Sequence, residues 1–212
     1  MVVAAIITIL SAIVFSSQTT FNSTLTLANT AYDIALTIRS AQTFGVGGRI
    51  ANTGTGIVAN VGYGVHFDAS TPGNFSLFAD TSPGVPSVGS CHGVPPVDAG
   101  GADSPAAQPG DCIYSVGSDL QINGFALGNG ITVSDFCAYG SGVSACASSG
   151  LSTLDLVFAR PNQDAFVTGG NGSSHSLYIN GACVTVSSPQ GNSRYISISS
   201  TGQINANAAP CP

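Results

Sequence analysis

The sequence predicts an α+β fold in which one long N-terminal helix packs on a small antiparallel β-sheet head. Three observations predict this fold: the placement of helix-breaking residues, an apolar run that continues into an amphipathic helical pattern, and short alternating segments between turns. The first glycine is Gly45 and the first proline is Pro72, so all 27 glycines and all 11 prolines lie beyond residue 44. This boundary predicts a helix over residues 1–44 and a turn-rich head over residues 45–212.

The first part of the predicted helix, residues 1–15, is apolar. The run MVVAAIITILSAIVF contains only two polar side chains, Thr8 and Ser11, and a helix that is apolar all round is buried in lipid or protein. Its length of about 22 Å is shorter than the roughly 30 Å core of a bilayer. The residues expected to pack in such an environment are Met1, Val2, Val3, Ala4, Ala5, Ile6, Ile7, Ile9, Leu10, Ala12, Ile13, Val14 and Phe15.

A cleaved secretory signal and a simple membrane anchor are alternatives for this run. No basic residue precedes it, and the helical pattern continues directly from it. We therefore favour a helix that packs against copies of itself.

Residues 16–44 are predicted to continue as an amphipathic helix, because apolar side chains recur there every three or four residues. Glycines at 45, 47 and 48 end the pattern. The stripe expected to pack on the head consists of Phe21, Leu25, Ala28, Tyr32, Ala35 and Ile38, and an adjoining stripe consists of Leu27, Ala31, Ile34, Ile38 and Ala41.

Beyond Gly45 the sequence predicts short antiparallel strands, each with one buried face. Residues 82–110 are rich in proline, glycine and alanine, so we expect a long surface loop there. The predicted strands are residues 62–68, 74–80, 119–127, 131–136, 152–159, 165–168, 176–186, 194–199 and 203–205.

The charge content is unusually low. Lysine, glutamate and tryptophan are absent, 7% of the residues are charged, and the net charge is −6, whereas an average soluble protein has about 25% charged residues. Nucleic-acid binding needs clustered lysine and arginine, so nucleic acid is not an expected partner.

Six cysteines without any C-x-x-C spacing favour disulfides in an oxidising compartment over a zinc site, with buried free thiols as the alternative. Pairing of neighbours predicts Cys91–Cys112, Cys137–Cys146 and Cys183–Cys211, one of 15 connectivities that six cysteines allow.

Candidate chemistry is sparse. His66, His92 and His175 have no metal-ligand spacing, and Asp98, Asp103 and Asp111 match no EF-hand pattern. His66 alternates with Val65 and Phe67 in a predicted strand, so we expect it to be an outward-facing surface histidine. We therefore expect no catalytic residue, no metal site and no cofactor. Candidate N-glycosylation sites are Asn22, Asn74 and Asn171.

The apolar run is followed by LANTAYDIALTIRSAQTFGVGGR at residues 27–49 and, in the head, by YGVHFD, FSLFAD, LVFARPNQDA and ISISSTGQI. This series resembles the type IV pilin superfamily, which includes bacterial pilins and the pseudopilins of type II secretion. The resemblance implies a pilin-like fold and a structural subunit, not an enzyme. Such a subunit is inserted in the inner membrane and is then added by a pilus assembly machinery to an extracellular helical homopolymer that serves adhesion, motility or surface attachment.

The family also has a cleaved basic leader, a methylated first residue and an early glutamate. This sequence begins inside the apolar run and contains no glutamate, so we expect it to lack about six N-terminal residues, which would bring the run to the length of a membrane span. Two other functions stay open, namely a minor pseudopilin of a secretion machine and a membrane-anchored binding module, for example for carbohydrate.

Overall fold

The computed structural model describes residues 2–53, 56–58, 61–81, 110–140, 142–160, 163–172 and 174–211, except for the side chains of Ala5 and residues 12–21. The predicted surface loop at 82–110 therefore lies outside the described residues, apart from Gly110. Helix α1 spans Val2–Val46 without interruption. Its 45 residues correspond to a length of about 68 Å.

Thirteen strands follow α1 in the described residues, and a short 3-10 turn lies at Ala147–Ser149. The strands are β1 (Ala51–Asn52), β2 (Ile57–Val58), β3 (Gly62–Asp68), β4 (Asn74–Asp80), β5 (Leu120–Ala126), β6 (Thr132–Tyr139), β7 (Ser144–Cys146), β8 (Thr153–Phe158), β9 (Ala165–Asn171), β10 (Ser174–Tyr178), β11 (Gly181–Ser187), β12 (Ser193–Ser199) and β13 (Ile204–Asn205).

The strands form three sheets within the described part of the chain. Strands β1 and β2 form a two-stranded sheet, a six-stranded sheet has the order β10-β9-β8-β3-β4-β5, and a five-stranded sheet has the order β13-β12-β11-β6-β7. Every pairing is antiparallel. The six-stranded sheet thus consists of two three-stranded meanders joined through β3 and β8.

The predicted fold class, a long helix on a small sheet, is wrong. The described chain is mostly β-sheet, and its strands form three sheets in place of one small one. The alternating pattern identified individual strands, but it contains no information on how many of them share a sheet. The segment 176–186, predicted as one strand, forms β10 and β11, which belong to different sheets. Gly181 has a φ of 127° at the start of β11, a conformation that favours glycine.

Helix α1 packs on the sheets through the stripe Leu27, Ala31, Ile34, Ile38 and Ala41, joined by Ala35. This stripe belongs to one core that contains inward-facing side chains of both large sheets, for example Phe67 of β3 and Ile196 of β12. Burial of such apolar side chains contributes roughly 1.5–3 kcal/mol for each large one. The C-terminal half of α1 is therefore an integral part of the folded head.

The C-terminal turns of α1 are also fixed by polar contacts and close approach. Arg39 and Gln42 donate hydrogen bonds to the carbonyl oxygens of Ile204 (3.2 Å) and Gly202 (2.9 Å). At Gly45 a Cβ atom would collide with the backbone carbonyl of Phe158 in β8. Only glycine allows the helix to approach the sheet this closely.

Candidate functional site

The N-terminal end of α1 is an exposed apolar surface. Isolated apolar side chains are normal on protein surfaces, but a contiguous patch marks an interaction site. Six large apolar side chains within nine residues are between 52% and 73% exposed, namely Val2, Val3, Ile6, Ile7, Ile9 and Leu10. This segment therefore presents a contiguous apolar surface that the rest of the described chain does not cover.

The exposed segment has two unlike faces. With about 100° of rotation per residue, the six large side chains lie within an arc of about 160°, which we call the bulky face. Ala4, Thr8 and Ser11 lie within an arc of about 60° on the opposite side, which we call the small face; all three are exposed. Small residues allow close helix–helix approach, and bulky residues fill the space between helices.

The other residues predicted for this apolar surface cannot be placed by their side chains. The residues concerned are Met1, Ala5, Ala12, Ile13, Val14 and Phe15, which lie outside the described residues or side chains.

The stripe predicted to pack on the head is placed only in part against it. Ala35 and Ile38 are buried, and Ala28 is half-buried. Leu25 and Tyr32 are exposed, and the side chain of Phe21 is outside the description. The adjoining stripe makes the contact with the sheets instead, so Leu25 and Tyr32 add apolar surface to the solvent side of α1.

A transmembrane helix, expected from the family resemblance, is not found in the described residues. No helix there combines the length and the apolarity needed to cross a membrane.

Two of the predicted disulfides are confirmed. Cys137–Cys146 joins the neighbouring strands β6 and β7, and Cys183–Cys211 attaches the C-terminal tail to β11. The third predicted pair includes Cys91, which lies outside the described residues. The two bridges favour an oxidising environment for the folded head.

A buried polar pair lies on the outer face of the six-stranded sheet. His66 and Asp155 are opposite each other in β3 and β8, and Nδ1 of His66 is 2.7 Å from Oδ1 of Asp155. The carboxyl group of Asp155 is fully buried and its second oxygen has no hydrogen-bond partner in the described structure. Burial raises the pKa of Asp155, and the hydrogen bond from His66 acts in the opposite direction.

Three carboxyl groups, of Asp80, Asp111 and Asp119, lie within 4.8 Å of one another beside this pair. Asp80 accepts hydrogen bonds from the backbone N–H groups of Asp111 and Cys112 (3.1 and 2.7 Å), and Asp119 accepts those of Thr81 and Ser115 (2.8 and 2.7 Å). Burial raises the pKa of Asp80 well above its ordinary value, and that of Asp111 to about 6. Because these carboxyl groups accept backbone N–H groups, we interpret them as fixing the segment 110–119 to β4.

Sequence reasoning missed these buried acids. The sequence predicted a solvent-exposed His66. The side chain does lie on the face of the sheet that is turned away from the core, but it is only 15% exposed, because the ring of Tyr114 packs against it (4.8 Å between centroids). The signal that could have found the pair is one polar residue within each of two apolar strands, the aspartate of LDLVF and the histidine of GVHFD.

The remaining candidate residues are placed as follows. His92, Asp98 and Asp103 lie outside the described residues, and the sequon residues Asn22, Asn74 and Asn171 are exposed.

Comparison with known proteins adds no assignment. The chain matches no protein-family model, no curated protein and no solved structure. Its function must therefore follow from its own surfaces.

Proposed function

We propose that this chain is the structural subunit of an extracellular filament and that it polymerises through the N-terminal segment of α1. The observation that carries this proposal is the exposure of six large apolar side chains on a segment that precedes Leu27, the first buried residue among the described side chains of α1. Along the helix, Ile6 lies about 30 Å from Leu27. The segment is therefore available to neighbouring subunits without any change in the head.

The energetic argument favours several neighbours over one. Complete burial of six large apolar side chains would contribute on the order of 10 kcal/mol or more, whereas association of two molecules costs about 4–15 kcal/mol in lost freedom. A single neighbour covers only one face of the helix, so a dimer recovers a fraction of that gain. A bundle in which each helix is surrounded recovers most of it.

The two faces of the segment favour an open polymer. If the bulky face of one helix packs on the small face of the next, the contact joins two different surfaces. Head-to-tail contacts of this type build open helical assemblies unless the rotation closes a ring. The disulfides of the head fit an oxidising, extracellular location. The low charge content fits a surface that is largely covered by other copies.

Insertion of the segment into a membrane before assembly, and delivery by an assembly machinery, remain predictions from the family resemblance. A plain membrane anchor would also use an exposed apolar segment. The two functions differ in what the segment contacts, which is another copy of the chain in one case and lipid alone in the other.

The substitution Ile9→Asp tests the proposal. A charge inside a helix bundle cannot be solvated, so filaments should be lost. The head should still fold, because Ile9 is exposed and makes no contribution to the core. Electron microscopy and pelleting of sheared fibres would measure assembly, and thermal unfolding would measure the head.

Ile57→Asp is the matched control, because Ile57 is exposed in the two-stranded sheet of the head, outside the apolar segment of α1. Filaments should persist in this variant. If Ile9→Asp formed filaments as well as the control does, polymerisation would not depend on the apolar segment.

A further inference from the structure

A polar groove lies on the outer face of the five-stranded sheet, under the C-terminal tail. It encloses about 430 Å³, which is within the usual size range of small-molecule sites. Its polar lining consists of Tyr139, Asn180, Ser197, Ser199, Gln203 and Asn205. The groove is separate from the apolar segment of α1 and from the buried acids of the six-stranded sheet.

The groove is built by the sheet register and by the tail. Ser199 is opposite Gly181 in the sheet, and Gly181 is opposite Tyr139, so a residue without a side chain lies between the tyrosine and the serine. The tail forms the other wall. It is held by the Cys183–Cys211 disulfide and by a hydrogen bond from the N–H of Ala208 to the carbonyl of Tyr195 (3.1 Å).

The lining groups are neutral, and three of the six polar side chains are uncommitted, because the other three already make hydrogen bonds within the protein. No lining residue in the described structure carries a formal charge. Within the described residues, the Ser197 hydroxyl and the Gln203 side-chain amide make no hydrogen bond. Gln203 donates only its backbone N–H, to the hydroxyl of Ser199. The hydroxyl of Tyr139 is buried and has no partner there. A ligand in the groove would therefore find hydrogen-bond partners in Ser197 and Gln203, because the Tyr139 hydroxyl itself is closed off from solvent.

We propose that this groove binds a neutral saccharide. Amides and hydroxyls both donate and accept hydrogen bonds, which matches the vicinal hydroxyl groups of a sugar, each of which also does both. The ring of Tyr139 supplies an apolar surface for the C–H side of a sugar ring. A charged ligand would lack a counter-ion in the groove, and a lipid chain would leave the amides unpaired.

Saccharide binding by the head does not depend on polymerisation, so the two proposals stand or fall separately. A filament whose subunits each carry the groove would bind a glycan surface through many weak contacts at once, which raises the apparent affinity strongly.

The experiment uses the full-length chain, monomeric in a polyoxyethylene detergent, because detergents with sugar head groups would occupy the groove. Saturation-transfer NMR and calorimetric titration would be carried out with glucose, galactose, mannose, N-acetylglucosamine and lactose, with N-acetylneuraminic acid as the charged comparison. We expect saturable binding of at least one neutral sugar and weaker or no binding of the acid.

Two variants locate the binding in the groove. Gln203→Ala and Ser197→Ala each remove one uncommitted hydrogen-bonding group from the groove, so each should weaken binding about fivefold. The matched controls are Gln190→Ala in the exposed β11–β12 turn and Ser70→Ala in the exposed β3–β4 turn, and both should bind as the unmodified chain does.

The proposal is overturned if none of the neutral sugars binds, if the acid binds equally well, or if the groove variants and their controls bind alike. Should Ser197→Ala fail to fold, Gln203→Ala decides the outcome, because the Gln203 side chain is exposed and outside the core.

Discussion

Enlarging the small face of α1 separates filament packing from membrane anchoring. The double variant Ala4→Leu, Ser11→Leu makes the segment more apolar and bulkier on the side where a neighbouring helix would approach. Overpacking of a close contact costs about 1–3 kcal/mol per site. Two sites therefore cost about 2 kcal/mol or more, which raises the subunit concentration needed for assembly by about 30-fold or more. In lipid the same change is favourable, because it adds apolar surface.

The assay measures the lowest chain concentration at which the purified protein forms pelletable filaments, together with its partition into lipid vesicles. Ile6→Leu, Ile7→Leu on the bulky face is the matched control, because it conserves volume and should leave both quantities nearly unchanged. We expect the small-face variant to lose assembly while it retains or gains vesicle binding. Normal assembly of the small-face variant would refute close helix packing as the basis of polymerisation.

Three further predictions concern the head. Gly45→Ala should lower the free energy of unfolding by about 3 kcal/mol or more, because the added Cβ meets the carbonyl of Phe158; Gly73→Ala, with open space around it, is the control in the same thermal unfolding series. Burial raises the pKa of Asp111 from 3.8 to about 6, so its contribution to stability is present below pH 3.8 and is lost as the pH rises through 6. Asp111→Asn should flatten this dependence in melts from pH 3 to pH 8, and an unchanged slope would contradict it. Cys211→Ala opens a 28-residue loop and should lower stability by about 3–4 kcal/mol, measured against the unmodified chain with and without reductant.

The sequence allowed the helix and most strands to be predicted, because both depend on local pattern. The absence of breakers before Gly45 predicted a helix over 1–44, and α1 spans Val2–Val46. The strands predicted at 62–68 and 74–80 are found with the same bounds. The fold class could not be predicted, because sheet membership depends on contacts between distant segments, such as the pairing of β3 with β8.

The apolar surface of α1 could be predicted only where the amino-acid composition by itself determines whether a segment is apolar. The apolar character of residues 2–10 is evident in the sequence, but the stripe that packs on the head was placed on its neighbour, with Leu25 and Tyr32 in place of Leu27 and Ala31. A helix with two adjoining apolar stripes can present either to a sheet, and tertiary packing selects one. The groove on the five-stranded sheet left no local signal, since its lining comes from β6, β11, β12, β13 and the tail.

Photo-crosslinking tests the central claim most directly. A p-benzoylphenylalanine at position 7 would lie on the bulky face of α1 and react with whatever surrounds it in surface fibres. A filament subunit should give covalent dimers and larger products whose cross-linked peptides map to residues 2–15 of another copy. Fibres that yield only uncross-linked chains, or only cross-links between position 7 and the head of the same chain, would contradict polymerisation through this helix.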